Sequence, residues 1–167
     1  MKNNYSKIIT KLNLLKHPEG GWYREIYRSS DVIPAHALPL EYGDARNVST
    51  SIYYLLTGNE FSVFHRLKSD EIWHFYLGTP LNIWMIDENG TLSSIILGQN
   101  MGANEYLQCV IKRHTWFAAG LMQTDSFALI GCTVAPGFHF SDFELGKRDE
   151  LVKLFPAYED IINNFTH

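Results

Sequence analysis

The hydrophobic pattern changes period twice along this chain. Ile8, Ile9, Leu12 and Leu15 recur at helical spacing behind Ser6, which suits an N-cap, so a short amphipathic helix is expected first. His17-Pro18-Glu19-Gly20-Gly21 stops it, the proline and glycines shaping a turn. Nine short runs rich in Val, Ile, Tyr, Phe, Trp and Thr follow, at 22–29, 47–56, 61–67, 70–77, 81–87, 92–97, 105–113, 115–121 and 126–134, and read as strands. Thr57-Gly58-Asn59-Glu60 and Asp87-Glu88-Asn89-Gly90 carry the chemistry of hairpin turns between them. Beyond Pro136 the helical period returns, with Leu151, Val152, Leu154 and Phe155 stopped at Pro156, then Ile161, Ile162 and Phe165.

Closely spaced strands without intervening helices imply a mainly β fold, an antiparallel sandwich or barrel rather than a βαβ fold. Some strands are apolar on both faces: Leu81, Ile83 and Met85 alternate with Trp84 and Ile86. Such a strand needs cover on both sides, the barrel interior on one and a second layer or another subunit on the other, and a homodimer is the expectation. No repeat or linker divides the 167 residues, so one domain spans 1–167, with a barrel core over about 18–136 and a helical segment over about 142–167.

Charge and cysteines narrow the function classes. A net charge of -4 with scattered Lys and Arg gives no footprint for nucleic acid or an anionic membrane. The apolar runs are too short to span a bilayer, and the charged start lacks a signal-peptide core. Cys109 and Cys132 sit in no zinc or disulfide spacing. The expectation is a cytoplasmic protein whose partner is a small molecule.

The polar residues that carry chemistry lie between Gly58 and Gly78. In the 61–67 strand Val63, His65 and Leu67 share a face; in the next, Glu71, Trp73, Phe75 and Leu77 do. With these apolar faces inward, His65 and Glu71 meet inside the barrel, and His74 points outward. An imidazole and a carboxylate in an apolar cavity suit acid–base catalysis or metal ligation. Lys112, His114 and Trp116 also share a face and either line the cavity or belong to a surface loop. Trp73 and Trp116 serve as core, or as walls for a sugar ring. No nucleophile elbow and no Gly-rich phosphate loop is present.

The 58–78 segment resembles the first cupin motif, a glycine before a His-x-His pair, then a glutamate and a closing glycine. His65, Glu71 and Gly78 match it, while Leu67 replaces the second histidine. Lys112, His114 and Trp116 stand where the second motif has proline, glycine and histidine, so two of four usual metal ligands remain. The stretches Pro18–Tyr23, Ser51–Leu56, Glu71–Tyr76 and Gly131–Phe138 are similar to signatures of the fifth cupin family, whose members lack an assigned function. The resemblance implies a jelly roll (double-stranded β-helix) with a pocket in its mouth. It also implies a leading reading: a metal-independent cupin that binds a polar, carbohydrate-like or other small metabolite and isomerises or epimerises it, with His65 as base and Glu71 orienting it or holding a proton. Trp73, Lys112, His114 and Trp116 would contact substrate. The alternatives are a metalloenzyme, a dioxygenase or isomerase, holding a divalent transition metal through His65, Glu71 and His114, and a binding protein without catalysis.

Overall fold

A computed structural model describes residues 4–167. Helix α1 (Asn4–Leu12) packs Ile8, Ile9 and Leu12 with Leu14 against Leu55 and Leu129. Ser6 lies inside this helix rather than capping it. The helix stops at Asn13, whose φ of +50° is tolerated by asparagine; Leu14 N–H bonds Ile9 C=O and Asn13 N–H bonds Thr10 C=O, a Schellman closure.

The strands are β1 (Leu15–Lys16), β2 (Trp22–Arg28), β3 (Val32–Ile33), β4 (Arg46–Asn47), β5 (Thr50–Thr57), β6 (Phe61–Leu67), β7 (Asp70–Gly78), β8 (Leu81–Ile86), β9 (Leu92–Leu97), β10 (Glu105–Tyr106), β11 (Gln108–Ile111), β12 (Trp116–Leu121), β13 (Phe127–Ala135) and β14 (Phe143–Leu145). They form two six-stranded sheets, β1-β2-β5-β13-β7-β11 (sheet I) and β10-β9-β8-β12-β6-β14 (sheet II), with β3 and β4 as a separate pair. The architecture is a jelly-roll sandwich rather than one continuous closed barrel. Pairing is antiparallel apart from β10 on β9. Tyr54, Leu56, Trp73, Leu81, Ile83, Phe117 and Ile130 meet between the sheets.

The outer face of sheet II is covered by the chain itself. Helices α2 (Arg148–Leu154) and α3 (Glu159–Asn164) seat Leu151 and Ile162 on Phe64, Ile86, Trp116 and Ala118. The second apolar face of β8 is thus met by a layer of the same chain. Cys109 and Cys132 are free and buried. No described helix is long and apolar enough to cross a membrane.

Two irregularities change strand phase. In β7 the pairing with β13 slips between Phe75 and Leu77, so Leu77, expected inward with Phe75, is exposed. In β6 the pairing with β12 slips between His65 and Ser62, so Ser62 rather than Val63 shares the inner side with His65. Val63, also expected inward, lines a shallow groove with Pro18 and Leu145 instead.

The segment after β13 is tied down by a buried ion pair. Arg46 donates from Nε and Nη2 to Asp142 at 2.5 and 2.7 Å, and also bonds the carbonyls of Tyr42, Asp44 and Ala45. Both side chains are 3% exposed, so removing one partner leaves a charge in a desolvated place. Arg46→Ala is expected to lower stability by about 3–5 kcal/mol in denaturant melts, and the Arg46→Met/Asp142→Leu double variant by less, because it leaves no orphaned charge.

Candidate functional site

The site begins with the His17–Gly21 turn. Gly20 and Gly21 have φ of +105° and +68°, and a Cβ on either would meet the carbonyl oxygen of Phe61 at 2.1 Å or of Leu55 at 2.7 Å. Only glycines let the turn press so closely onto β5 and β6. Val63 N–H then bonds Glu19 C=O at 2.9 Å, and Tyr54 Oη donates to Gly20 C=O. Glu19 is thereby carried into the interior, where Ser62 Oγ donates to its Oε1 at 3.1 Å and its Oε2 lies 3.1 Å from Nε2 of His65.

The bulge in β6 sets the histidine. It leaves the Val63 carbonyl free to accept from Nδ1 of His65 at 2.7 Å. A carbonyl only accepts, so Nδ1 carries a hydrogen, and Nε2 of the neutral ring has only its lone pair to offer. Its approach to Glu19 is attractive when one proton lies between them. Burial holds the His65 imidazole down to about 4, the Val63 bond opposing, while burial raises the Glu19 carboxyl. The shared proton therefore rests on the Glu19 side. His65 packs between Phe117 and Phe143, ring centroids 4.0 and 5.3 Å away.

His17 joins the cluster through Nδ1, which accepts from Glu19 N–H at 3.3 Å; burial lowers its pKa, Glu19 opposing. Glu71 comes from β7, paired between β11 and β13. Burial first, and Glu19 whenever it is ionised, push its carboxyl up to about 8. The Trp73 indole and Cys132 thiol offset part of that rise, but neither closes a hydrogen bond of good geometry: Glu71 Oε2 and Trp73 Nε1 are both buried without a partner.

His17, Glu19, His65 and Glu71 line one cavity of about 380 Å³ between the sheets. Phe138, Phe140 and Phe143 form an aromatic cluster along it, with centroids 5.0 to 6.4 Å apart. The structure thus brings His65 and Glu71 together, and sets apart the other residues proposed from the sequence. Trp73 sits in the core against Tyr54 and Phe117. Lys112 is exposed and pairs with Asp70. His114, in a turn with φ of +64°, faces Glu41 at 3.1 Å in a separate surface depression. Trp116 lies under the C-terminal helices with the Arg66 guanidinium over its ring. Phe117, the next residue, is the one turned inward.

Glu19, His17 and the Phe138–Phe143 segment escaped the sequence reading because turns have no period to place a side chain. The available signal was a glutamate held between a proline and two glycines. His139 caps a short 3-10 turn by accepting from Ser141 N–H and also lines the cavity.

The cupin fold raises the question of a metal. The triad of His65, Glu71 and His114 is not assembled, since His114 is elsewhere. Both ring nitrogens of His65 are engaged, by Val63 and by Glu19. Among the described residues, no group of three or more His, Cys, Asp or Glu is arranged to hold a metal ion. The donors as placed do not fit a transition metal, and no step below runs through one.

A double-sheet jelly roll with a polar cluster in its interior cavity defines a cupin-type protein. The model of the Cupin_5 family, described as Cupin superfamily (DUF985), matches residues 6–146, and the chain belongs to that family. It is 36% identical to a protein of Shewanella oneidensis of known crystal structure (TM-score 0.89, 99% of this chain and 98% of that one). A hypothetical protein from Leishmania major is 30% identical (TM-score 0.88, 99% of both chains). An uncharacterised protein of Saccharomyces cerevisiae is 28% identical over 161 residues, 90% of this chain and 79% of its own length. Oxalate decarboxylase of Bacillus subtilis, in which Mn(II) centres are described, shares the fold alone: 14% identity, TM-score 0.54, over 90% of this chain and 36% of that one.

Stability should carry the mark of Glu71. Stability rises with pH wherever the unfolded chain binds more protons than the folded one. Unfolded Glu71 loses its proton near 4.5 and folded Glu71 near 8, so between these values the folded chain holds the extra proton and stability falls as pH rises. His65 acts oppositely between about 4 and 6.5, where the unfolded chain holds the proton. The two offset up to about pH 6.5, and above it Glu71 is no longer offset by His65. Thermal melts from pH 6.5 to 8 should show a decline to which Glu71 contributes at most about 1.4 kcal/mol per pH unit, and Glu71→Gln should reduce it. An unchanged slope in that variant would assign the decline to another group.

Proposed function

We propose that the cavity binds a small polar metabolite, of carbohydrate-like or similar size, and moves a proton beside its carbonyl group, as in an isomerisation or epimerisation. The observation that carries this reading is the different company of two buried carboxyl groups in one cavity, both of them raised by burial. Glu71 is held neutral and its Oε2 has no partner, whereas Glu19 is backed by His65 across 3.1 Å. A carboxyl with a proton to give, beside a carboxyl–imidazole pair that can take one, offers an acid and a base in one cavity.

In the proposed step Glu71 gives its proton to the substrate carbonyl oxygen while a proton leaves the neighbouring carbon for the Glu19 carboxyl. As Glu19 receives it, the shared proton passes to Nε2 of His65, whose Nδ1–H stays on Val63. An enol forms with no net change of charge in the cavity: the negative charge left on Glu71 balances the positive charge gained by the Glu19–His65 pair. Return of the protons, at the same or the adjacent carbon, completes the reaction and restores both groups. His65 therefore works through Glu19, a refinement of its expected role as the base itself.

The test is deuterium uptake from D2O into a set of carbonyl metabolites, followed by NMR. Glu19→Gln, His65→Asn and Glu71→Gln should each slow uptake by roughly 10²-fold or more, and the double variants should not add, because the groups act as a unit. The rate should fall above about pH 8, where Glu71 loses the proton it donates, and below about pH 4, where His65 is already protonated. Full uptake in Glu19→Gln would remove the relay. Saturable binding with no uptake for any compound would make this a binding protein.

A further inference from the structure

We infer that the cavity selects an uncharged ring compound, one that presents a carbonyl group to Glu71 and lays its ring on the Phe138–Phe140–Phe143 wall, and that it rejects anionic head groups. This deepens the acid–base reading, on which it rests for the protonated state of Glu71.

The charges around the cavity carry the inference. Its inner end holds Glu19, Glu71, His17 and His65, and no lysine or arginine among the described lining residues reaches it. Arg28 is the single arginine on the lining, and it is occupied. Its Nε and Nη2 donate to the two carboxylate oxygens of Glu25 at 2.9 and 2.6 Å, and its Nη1 donates to Asn47 Oδ1 at 2.9 Å and to the Phe138 carbonyl at 3.1 Å. Four of its five N–H donors are spent, two of them on a bidentate ion pair that neutralises it. A phosphate or carboxylate entering here would shed its water and find no free cation to replace it. A buried ion without a partner is costly, so such ligands are excluded by desolvation.

An uncharged carbonyl meets the opposite situation. Glu71 is 7% exposed, lines the cavity and has one oxygen with no partner, so a protonated Glu71 has a hydrogen bond to give. The wall suits a ring: Phe138 and Phe140 pack edge to face at 5.0 Å, and Phe140, 55% exposed, offers ring surface not used by the core. Arg28 holds that wall through the Phe138 carbonyl, and Thr50 Oγ1 holds it through Phe138 N–H at 2.9 Å. The arginine at the mouth thus positions the wall rather than receiving an anion.

Two probes of matched shape test this on the full chain at pH 6.5: acetophenone and benzoate, measured by ligand-observed NMR titration. Acetophenone should bind with the weak, millimolar affinity of a fragment, and benzoate at least tenfold more weakly. Phe140→Ala should weaken acetophenone several-fold without lowering the thermal midpoint, since this ring lies outside the core. Raising the pH to 9 should weaken acetophenone in the native protein but not in Glu71→Gln, whose amide still donates. Equal or tighter binding of benzoate, or no binding of acetophenone, overturns the assignment. Binding of acetophenone as stated, with no faster deuterium uptake into its methyl group, upholds the ligand class and overturns the acid–base reading, so the two failures are distinguishable.

Discussion

A single proton between Nε2 of His65 and Oε2 of Glu19 is the interaction around which the interior is organised. It needs a histidine with Nδ1 tied to the Val63 carbonyl, and the bulge in β6 frees that carbonyl. It also needs a carboxyl delivered from outside the sheets, which the two left-handed glycines of the first turn make sterically feasible. With the proton in place the pair is neutral, and a neutral pair can stand in a desolvated cavity where separate ions would each cost several kcal/mol. Ser62 and His17 hold the remaining polar atoms of Glu19.

The same low polarity that favours the neutral pair keeps Glu71 protonated. Desolvation is the first cause, and any negative charge that Glu19 takes on adds to it. A jelly roll is suited to this arrangement because its two sheets exclude water while leaving an open end. Here that end is framed by the segment after β13, which the Arg46–Asp142 pair clamps to the body of the protein. The rigidity of the mouth and the chemistry of the floor thus come from separate parts of the chain, brought together by sheet I.

The placement of metal ligands illustrates how one scaffold carries different sites. Leu67 occupies the position of a motif histidine and lines the cavity as an apolar wall. Phe117, rather than Trp116, faces inward on β12, against His65. What remains of the motif, His65 and Glu71, is joined by a glutamate from a turn, and the set becomes a proton-holding cluster.

Local sequence determined a good deal. The extents of β6 and β9 were legible to the residue, because their apolar and polar positions are bounded by turn residues with specific backbone preferences. The inward phase of His65, Glu71 and Trp73, the outward turn of His74, and both terminal helical segments were legible too. Three things were decided only by the tertiary structure. The face of β12 could not be read, since Trp116 to Gly120 are all buried and alternation has no polar side to mark. The bulges in β6 and β7 moved Val63 and Leu77 off the inner face, because one extra residue reverses every position beyond it. Glu19 and the phenylalanine wall came from turns far along the chain from His65, and a turn has no period from which a long-range contact follows. Strand periodicity is local, and so it showed which side chains share a face. The packing of whole sheets against loops and helices decided what each face meets.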